Sequence, residues 1–273
     1  MKTQDKDTLQ HIKDVDLLVF KDFKKICEEN DLKYYLWFGT EIGAVRHQGF
    51  IPWDDDIDVV MFRGDYEKFL KIMEEKPCEK YTVLDSRYDE EYFFQFGRLS
   101  LNGTRWAEFW DNQVSFDLGM HVDLFILDKV PNNKIKRWLF MRICLILCKC
   151  YAISTIKFNQ GSKLVQVIVN TLHSIFNVFG LSPKFFQKKL PKLLRRYEND
   201  DCRYYADLTM NELPFFEFSD FEPSKEVKFE GTMAKIANNQ DATVGQIFGD
   251  YMTLPPEEDR VWHELSEVDF GKY

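Results

Sequence analysis

One long stretch of this 273-residue chain contains no acidic residue. From Lys129 to Tyr197 there are 14 Lys and Arg residues and neither Asp nor Glu, whereas the remainder holds 22 basic and 45 acidic residues. A solvated protein surface normally mixes charges of both signs. The absence of acid over 69 residues therefore predicts an anionic neighbour, such as a membrane surface or a phosphate-rich polymer.

Disulfide, secretion and zinc signals are also missing. The six cysteines form no CxxC pair, which argues against a disulfide framework and favours a reducing cytoplasm. The first residues, MKTQDKDTLQ, lack the apolar run of a signal peptide. Cys144, Cys148 and Cys150 lie in an apolar run without a nearby His, so buried thiols are favoured over a zinc site.

An uninterrupted apolar run of the ~20 residues that a membrane span needs is likewise absent. Residues 134–153 and 162–179 have the periodicity of helices with wide apolar faces, but Arg142 and Lys149 divide the first. Apolar faces edged with Lys and Arg are typical of helices that lie in a membrane interface. The alternative is that these helices pack on the protein core. We expect residues 134–180 to hold a cytoplasmic protein peripherally on the inner face of the cell membrane.

What is present predicts a packed domain with both helices and strands. Hydrophobic residues make up 45% and aromatic residues 16% of the chain, which indicates a sizeable core. Hydrophobic periodicity predicts helices at 7–29, at 41–47, after Gly64 and at 241–248. It predicts strands at 32–38, 57–62, 81–85, 92–100 and 119–127, and a strand pair within 227–237.

The segment GFIPWDDDIDVV, residues 49–60, places four aspartates within five positions beside a β-branched run. Because side chains alternate along a strand, Asp56 and Asp58 share one face, Asp54 continues their row if the backbone is already extended, and Asp55 points away. Clustered carboxylates repel one another unless a cation neutralises them. Mg²⁺ suits such a pair, with Mn²⁺ as the second candidate. The alternative is a solvated turn.

Other residues strengthen the reading of this DxD pair as a metal and phosphate site. Gly39 and Thr40 lie at a strand-to-helix turn, where free N–H groups can hold a phosphate. Asp123 is an acid within the otherwise apolar strand MHVDLFIL, where the alternative is a hydrogen-bonded core carboxylate. Arg46 and Arg98 are candidate phosphate ligands, with ordinary surface arginines as the alternative.

Three segments resemble the LicD family of phosphotransferases, which is part of the nucleotidyltransferase-fold superfamily. They are FGTEIGAVRHQGFIPWDDDIDV (38–59), GMHVDLFILD (119–128) and FGDYMTLPPEEDR (248–260). The resemblance implies an α+β nucleotidyltransferase fold, a mixed β-sheet flanked by helices. We expect a catalytic core at 1–128, a basic helical insert at 129–200, and a C-terminal segment at 201–273 that closes the active site.

The resemblance also implies an activity. A phospho-alcohol, with phosphocholine from CDP-choline as the first expectation, is transferred to a hydroxyl of a glycan or its lipid-linked precursor, and CMP is released. Asp56, Asp58 and Asp123 are the implied catalytic residues, and together with Asp54 they are the implied metal ligands. Asp123 is also a candidate general base. The implied substrate-binding residues are Gly39, Thr40, Arg46, Trp53, Arg98, Asp250 and Arg260.

Choline recognition requires aromatic side chains around a quaternary ammonium. Trp53 is one candidate, together with Trp37, Trp106, Phe109 and Trp110. The alternative is that these side chains fill the core, because the chain has 25 Phe, 12 Tyr and 6 Trp.

Two other functions remain open. The nearest is a true nucleotidyltransferase that passes NMP from an NTP to a sugar or small molecule, using the same carboxylates and releasing pyrophosphate. The other is a non-catalytic scaffold, which the complete set of carboxylates argues against. Nucleic-acid binding is not expected, because the basic stretch lacks regularly interleaved aromatics and the remainder is strongly acidic.

Overall fold

The computed structural model describes residues 6–159, 161–260 and 263–273. Within them a mixed β-sheet is flanked by helices, which confirms the predicted α+β class. The helices are α1 (Lys6–Glu29), α2 (Phe38–His47), α3 (Arg63–Glu75), α4 (Lys134–Thr155), α5 (Lys163–Val178), α6 (Pro183–Leu194), α7 (Phe218–Phe221) and α8 (Val244–Phe248). The strands are β1 (Tyr35–Leu36), β2 (Asp58–Phe62), β3 (Tyr81–Leu84), β4 (Gly97–Leu101), β5 (Arg105–Ala107), β6 (His121–Val130), β7 (Tyr204–Ala206), β8 (Phe216–Glu217), β9 (Lys225–Phe229), β10 (Thr232–Ile236) and β11 (Glu267–Asp269).

The main sheet has the strand order β1-β2-β6-β4-β3, with β7 paired to the far end of β6 and β8 to β7. Strands β2 and β6 are parallel, and the other neighbours are antiparallel. In the parallel pair Asp58 is opposite Asp123, and across the next pair Arg98 is opposite Asp123. The sheet therefore sets two acids and one arginine in a row across three adjacent strands.

The two faces of the sheet are covered by different parts of the chain, because side chains alternate along each strand. On one face Val59 shares an apolar core with Phe20 of α1 and with residues of α3. On the other face Val60 packs with Phe221 in the C-terminal segment. Asp58 has the parity of Val60, so the row of charged residues lies on the face that the C-terminal segment covers.

The acid-free stretch folds mainly into α4, α5 and α6. Asn133 caps α4 by accepting hydrogen bonds from the N–H groups of Ile135 and Lys136. By length and composition, α4 is long and apolar enough to cross a bilayer, although 39% of its apolar window is buried inside the protein. Helices α5 and α6 together also qualify, but they meet at an angle of 94°.

The prediction of a strand at 92–100 is wrong in its first half, because β4 begins at Gly97. Ahead of it the side-chain amide of Gln95 donates to the carbonyl groups of Phe93 and Phe94, 3.2 and 3.1 Å away. A side chain thus satisfies backbone acceptors that a strand partner would otherwise satisfy. The aromatic run reflects burial rather than strand pairing.

Two helix starts also differ from prediction. The helix predicted from residue 41 begins at Phe38, which shortens the strand predicted at 32–38 to Tyr35–Leu36. The helix predicted from Asp241 begins at Val244. The hairpin predicted within 227–237 is confirmed by β9 and β10.

Candidate active site

Three strands deliver buried charged side chains to one place. Asp58 begins β2, and Asp123 lies opposite it on β6. Arg98 on β4 forms a two-pronged ion pair with Asp123, with Nε 2.7 Å from Oδ1 and Nη2 3.4 Å from Oδ2. The structure therefore brings together two predicted catalytic carboxylates and one predicted phosphate ligand, and it pairs that arginine with Asp123.

Arg98 has one nitrogen left for a further partner. Its guanidinium carbon lies 4.5 Å from the ring centre of Phe94 and 5.5 Å from that of Phe96. Its Nη1 atom is buried and has no hydrogen-bond partner among the described residues. A buried donor without a partner costs about 1–3 kcal/mol. Nη1 is therefore suited to donate to a bound oxyanion.

Both ring nitrogens of His121, next to Asp123, face oxygen atoms that can only accept a hydrogen bond. Its Nδ1 lies 2.9 Å from the carbonyl oxygen of Gly119, and its Nε2 lies 3.3 Å from Oδ1 of Asp123. Burial and the charge of Arg98 lower the pKa of His121 to about 4. A neutral imidazole carries one N–H, so either tautomer leaves a lone pair facing an acceptor oxygen. A cation bound to Asp123 would reduce the repulsion in that contact.

The loop before β2 gathers the remaining aspartates. Asp54, Asp55 and Asp56 each offer an oxygen within 4.8 Å of the others, a spacing that one hard cation can bridge. Asp55, expected to point away from the row, is fully buried and accepts hydrogen bonds from the Nδ1 (3.0 Å) and backbone N–H (3.2 Å) of His263. The sequence analysis did not anticipate that Asp55 joins this cluster.

The electrostatics of these carboxylates favour a bound cation. Burial, followed by the negative charge of Asp56, raises the pKa of Asp54 and of Asp58 well above the ordinary range. Burial also raises the pKa of Asp56 to about 6. Partial burial lowers the pKa of His263, but its hydrogen bond to Asp55 and the charges of Asp56 and Asp55 outweigh that effect and raise the pKa to about 10. The charges of His263, Lys13 and Arg98 offset only part of this effect, because the pKa values of Asp54 and Asp58 stay raised.

The N-terminus of α2 lies against two of the aspartates. A Cβ atom added to Gly39 would lie 2.5 Å from Oδ2 of Asp54. The hydroxyl of Thr40 is buried and accepts a hydrogen bond from the backbone N–H of Asp58, 2.8 Å away. Gly39 therefore makes room for the carboxylate, and Thr40 fixes the start of β2. The positive end of the helix dipole also favours negative charge here.

Helix α1 contributes two residues that the sequence analysis missed. Lys13 donates from Nζ to the carbonyl groups of Ile51 and Pro52, 3.1 and 3.0 Å away, which holds the aspartate loop. Asp16 is buried and accepts a hydrogen bond from the N–H of His121 at 3.1 Å. Burial, followed by the charge of nearby Asp56, raises the pKa of Asp16 well above its usual range. Both residues interrupt the apolar face of α1, and that interruption was the available signal.

The C-terminal segment is anchored beside this loop. Arg46 donates from Nη1 to the carbonyl groups of Tyr251 and Thr253, 2.7 and 3.4 Å away. The guanidinium of Arg260 lies 4.7 Å from the ring centre of Trp53. Arg46, predicted to bind phosphate, thus contacts the segment itself.

Asp250, the remaining predicted substrate ligand, is exposed and accepts a hydrogen bond from the hydroxyl of Thr253 at 2.7 Å. Its carboxylate therefore stabilises the turn from Asp250 to Thr253.

The five candidate cage residues do not share one cluster. Trp37, Trp106 and Trp110 are buried, and Trp37 lies in a different apolar cluster from the other two. Trp53 is half-buried in a third cluster, and the partly buried Phe109 packs against the large cluster that includes Trp106 and Trp110. Of the four tryptophans, Trp53 alone keeps a substantial accessible surface.

Comparison of the sequence with known proteins places this chain in a family. Residues 31–142 match the family model described as LicD/FKTN/FKRP, nucleotidyltransferase domain. The lipopolysaccharide cholinephosphotransferase LicD of Haemophilus influenzae is 30% identical over 285 aligned positions, covering 96% of this chain and 97% of that protein. Shorter matches occur to uncharacterised proteins of Rickettsia typhi (42% identity, 20% of this chain, 18% of that protein) and Rickettsia prowazekii (38%, 24% and 24%).

Proposed function

This chain belongs to the LicD family, and from that premise we propose that it transfers phosphocholine from CDP-choline to a hydroxyl group of a cell-surface glycan, or of the lipid-linked precursor, and releases CMP. It would be a phosphotransferase for substituted phosphate groups. The near full-length similarity to a lipopolysaccharide cholinephosphotransferase supports both the transferred group and the glycan acceptor. The nucleotidyltransferase fold is proposed on the same basis.

The observation that carries the proposal is the row formed by Asp58, Asp123 and Arg98 on three adjacent strands. It places carboxylates that suit a hard cation next to an arginine whose Nη1 has no partner among the described residues. A donor with two linked phosphates needs both kinds of group at once, because a cation and an arginine can share the charge of the pyrophosphate.

The residues present fit a Mg²⁺ ion, with Mn²⁺ as the second candidate. Asp54, Asp55 and Asp56 each offer an oxygen within 4.8 Å of the others, and burial, followed by the charge of Asp56, raises the pKa of Asp54 and of Asp58, so a bound cation would stabilise their ionised forms. Asp56, Asp58 and Asp123, with Asp54 beside them, would hold the ion, which when bound neutralises donor phosphates and stabilises the leaving CMP.

Four residues around the cation site would have separate roles in binding the donor and positioning the carboxylates. Arg98 would donate from Nη1 to a phosphate oxygen while it holds Asp123 in place. Gly39 would leave space for Asp54, and Thr40 would fix the backbone of Asp58. Asp123 is engaged by Arg98, so we assign it to cation binding rather than to removing the proton of the acceptor hydroxyl.

We further propose that the protein acts at the cytoplasmic face of the cell membrane. The absence of acid between Lys129 and Tyr197 supports this placement, because a strongly basic stretch is attracted to anionic lipid head groups even though Lys184 and Arg195 pair with carboxylates elsewhere in the chain. A lipid-linked acceptor would be presented at that surface.

The test is CMP release from a panel of CDP-alcohols in the presence of Mg²⁺. We expect CMP from CDP-choline, and we expect Asp56→Asn/Asp58→Asn and EDTA each to abolish it. The matched control is Asp201→Asn/Asp241→Asn, which removes two exposed carboxylates and should leave the rate unchanged. Pyrophosphate released from an NTP, without CMP from any CDP-alcohol, would instead favour the nucleotidyltransferase that the name of the family domain keeps open.

A further inference from the structure

Helix α5 has its polar side turned toward the protein and its apolar side turned outward. The side-chain amide of Asn170 exchanges two hydrogen bonds with the backbone of Phe158, each 2.9 Å long. His173 donates from Nδ1 to the carbonyl of Ile153 at 2.7 Å, and Gln166 donates to the carbonyl of Gly161 at 3.0 Å. The polar stripe is therefore used to attach the helix.

The opposite side of α5 is aliphatic and open. The side chains of Leu164, Ile168 and Ile175 lie within one narrow arc at helical spacing, and all three are exposed; Leu164 retains 70% of its surface. Val167 and Val178 flank this arc and are also exposed. No residue of α5 is buried. A water-facing helix shows the reverse arrangement, so this face requires an apolar partner.

The neighbouring helix enlarges the same kind of surface. On α4 the exposed large side chains include Ile135, Trp138, Leu139, Ile143 and Ile146. Trp138 is 58% exposed, and tryptophan is enriched at the boundary between lipid and water.

Charge identifies the partner. Lys163, the first residue of α5, and Lys157, which precedes the helix, are both exposed. The whole stretch from Lys129 to Tyr197 lacks acidic residues. A second copy of this chain that paired through the same face would cover the aliphatic arc but would bring two basic, acid-free stretches together. An anionic phospholipid bilayer offers negative head groups and an apolar interior together.

The beginning of α5 is tied to the candidate active site. Gln113 and Lys157 exchange two hydrogen bonds, 3.0 and 2.7 Å long, and the rings of Phe109 and Phe158 are 6.2 Å apart. The segment that holds Phe109 and Gln113 follows β5, whose Trp106 packs against both His121 and His263, at 5.3 and 6.0 Å between ring centres. An inserted α5 would therefore hold the rim of the site near the lipid head groups.

We propose that α5 embeds its outward aliphatic face in an anionic phospholipid bilayer, lying in the plane of the interface and anchoring the active-site end of the protein. This deepens the membrane placement within the proposed function and rests on it. The anchorage is mainly apolar, with the lysines adding attraction to the head groups.

The test is flotation of the full-length protein with vesicles of phosphatidylcholine containing phosphatidylglycerol. Wild type should float with the vesicles, and most of the binding should remain at about 0.5 M NaCl, where charge attraction is largely screened. Leu164→Gln/Ile168→Gln should lower the partition coefficient at least about tenfold. The matched control Tyr88→Gln/Met233→Gln, which changes two exposed apolar residues outside the insert, should float like wild type.

Three results would overturn the proposal: a wild type that does not float, a face variant that floats like wild type, or binding that disappears at high salt. A wild-type dimer that the face variant dissociates, without flotation of either protein, would assign the face to a second copy. CMP release measured without vesicles separates this proposal from the catalytic one. A wild type that releases CMP but does not float refutes only the anchor, and a wild type that floats but releases no CMP refutes only the transferase.

Discussion

Replacing Gly39 by Ala should damage catalysis much more than folding. The added Cβ would lie 2.5 Å from Oδ2 of Asp54, whereas an ordinary non-bonded contact is about 3.5 Å, so the carboxylate must move by about 1 Å. A displacement of that size in a catalytic site can cost about 100-fold in rate. The displaced atom is the end of a side chain, so we expect the free energy of unfolding to change by less than about 1 kcal/mol.

The assay is CMP release from CDP-choline by Gly39→Ala, with thermal unfolding measured in parallel. The matched control is Gly64→Ala in the first turn of α3, where an added Cβ meets no atom within 4 Å. The control should keep full activity and gain slightly in stability, by about 0.4–1 kcal/mol. Wild-type activity in Gly39→Ala would refute the reasoning, and so would a collapse of stability equal to the loss of activity.

Thr40→Val should lower the rate of CMP release by at least about tenfold, because the buried N–H of Asp58 loses its acceptor at a cost of about 1–3 kcal/mol. Thr40→Ser keeps the hydroxyl and should retain the wild-type rate. A wild-type rate in Thr40→Val would argue against this role. Arg98→Lys should also lower the rate at least about tenfold without restoring the paired contact to Asp123, and a normal rate would show that the paired geometry is dispensable. Burial raises the pKa of Glu41 from 4.5 to about 8. Between these two pH values the folded protein therefore holds a proton on Glu41 that the unfolded chain has lost. Stability from this group is full below about pH 4.5 and disappears as the pH rises through about 8; Glu41→Gln should flatten that slope in urea unfolding, and an identical slope would contradict the assignment.

The carboxylates of the candidate site were predictable because their sequence signals are local. Alternation along a strand places Asp56 and Asp58 on one side, and an acid within an apolar strand marks Asp123 as unusual. Neither pattern states which strands are neighbours. The parallel pairing of β2 with β6, and the position of Arg98 on the other side of β6, depend on long-range packing.

Sequence reasoning missed Asp16 and the role of Asp55 because their partners lie far along the chain. Asp16 and His121 are 105 positions apart, and Asp55 and His263 are 208 positions apart. No local periodicity encodes such pairs. Strands of three residues, such as β5 and β11, could not be predicted either, because a segment that short shows no alternation of side chains.

The orientation of α5 shows a different limit. Its sequence reveals one polar and one apolar side, but the usual assumption turns the apolar side inward. In the structure, Asn170 and His173 bond backbone groups of the segment before α5 instead. The acid-free composition was the sequence signal that pointed toward an anionic surface.

The most direct test of the central claim is the stoichiometry of the transfer reaction. Purified protein, Mg²⁺, CDP-choline and a lipid-linked glycan should yield one CMP for each phosphocholine found on the glycan, with both products absent in Asp58→Asn. Release of pyrophosphate instead of CMP would contradict the account. So would a glycan that Asp58→Asn modifies with phosphocholine as well as the wild type does.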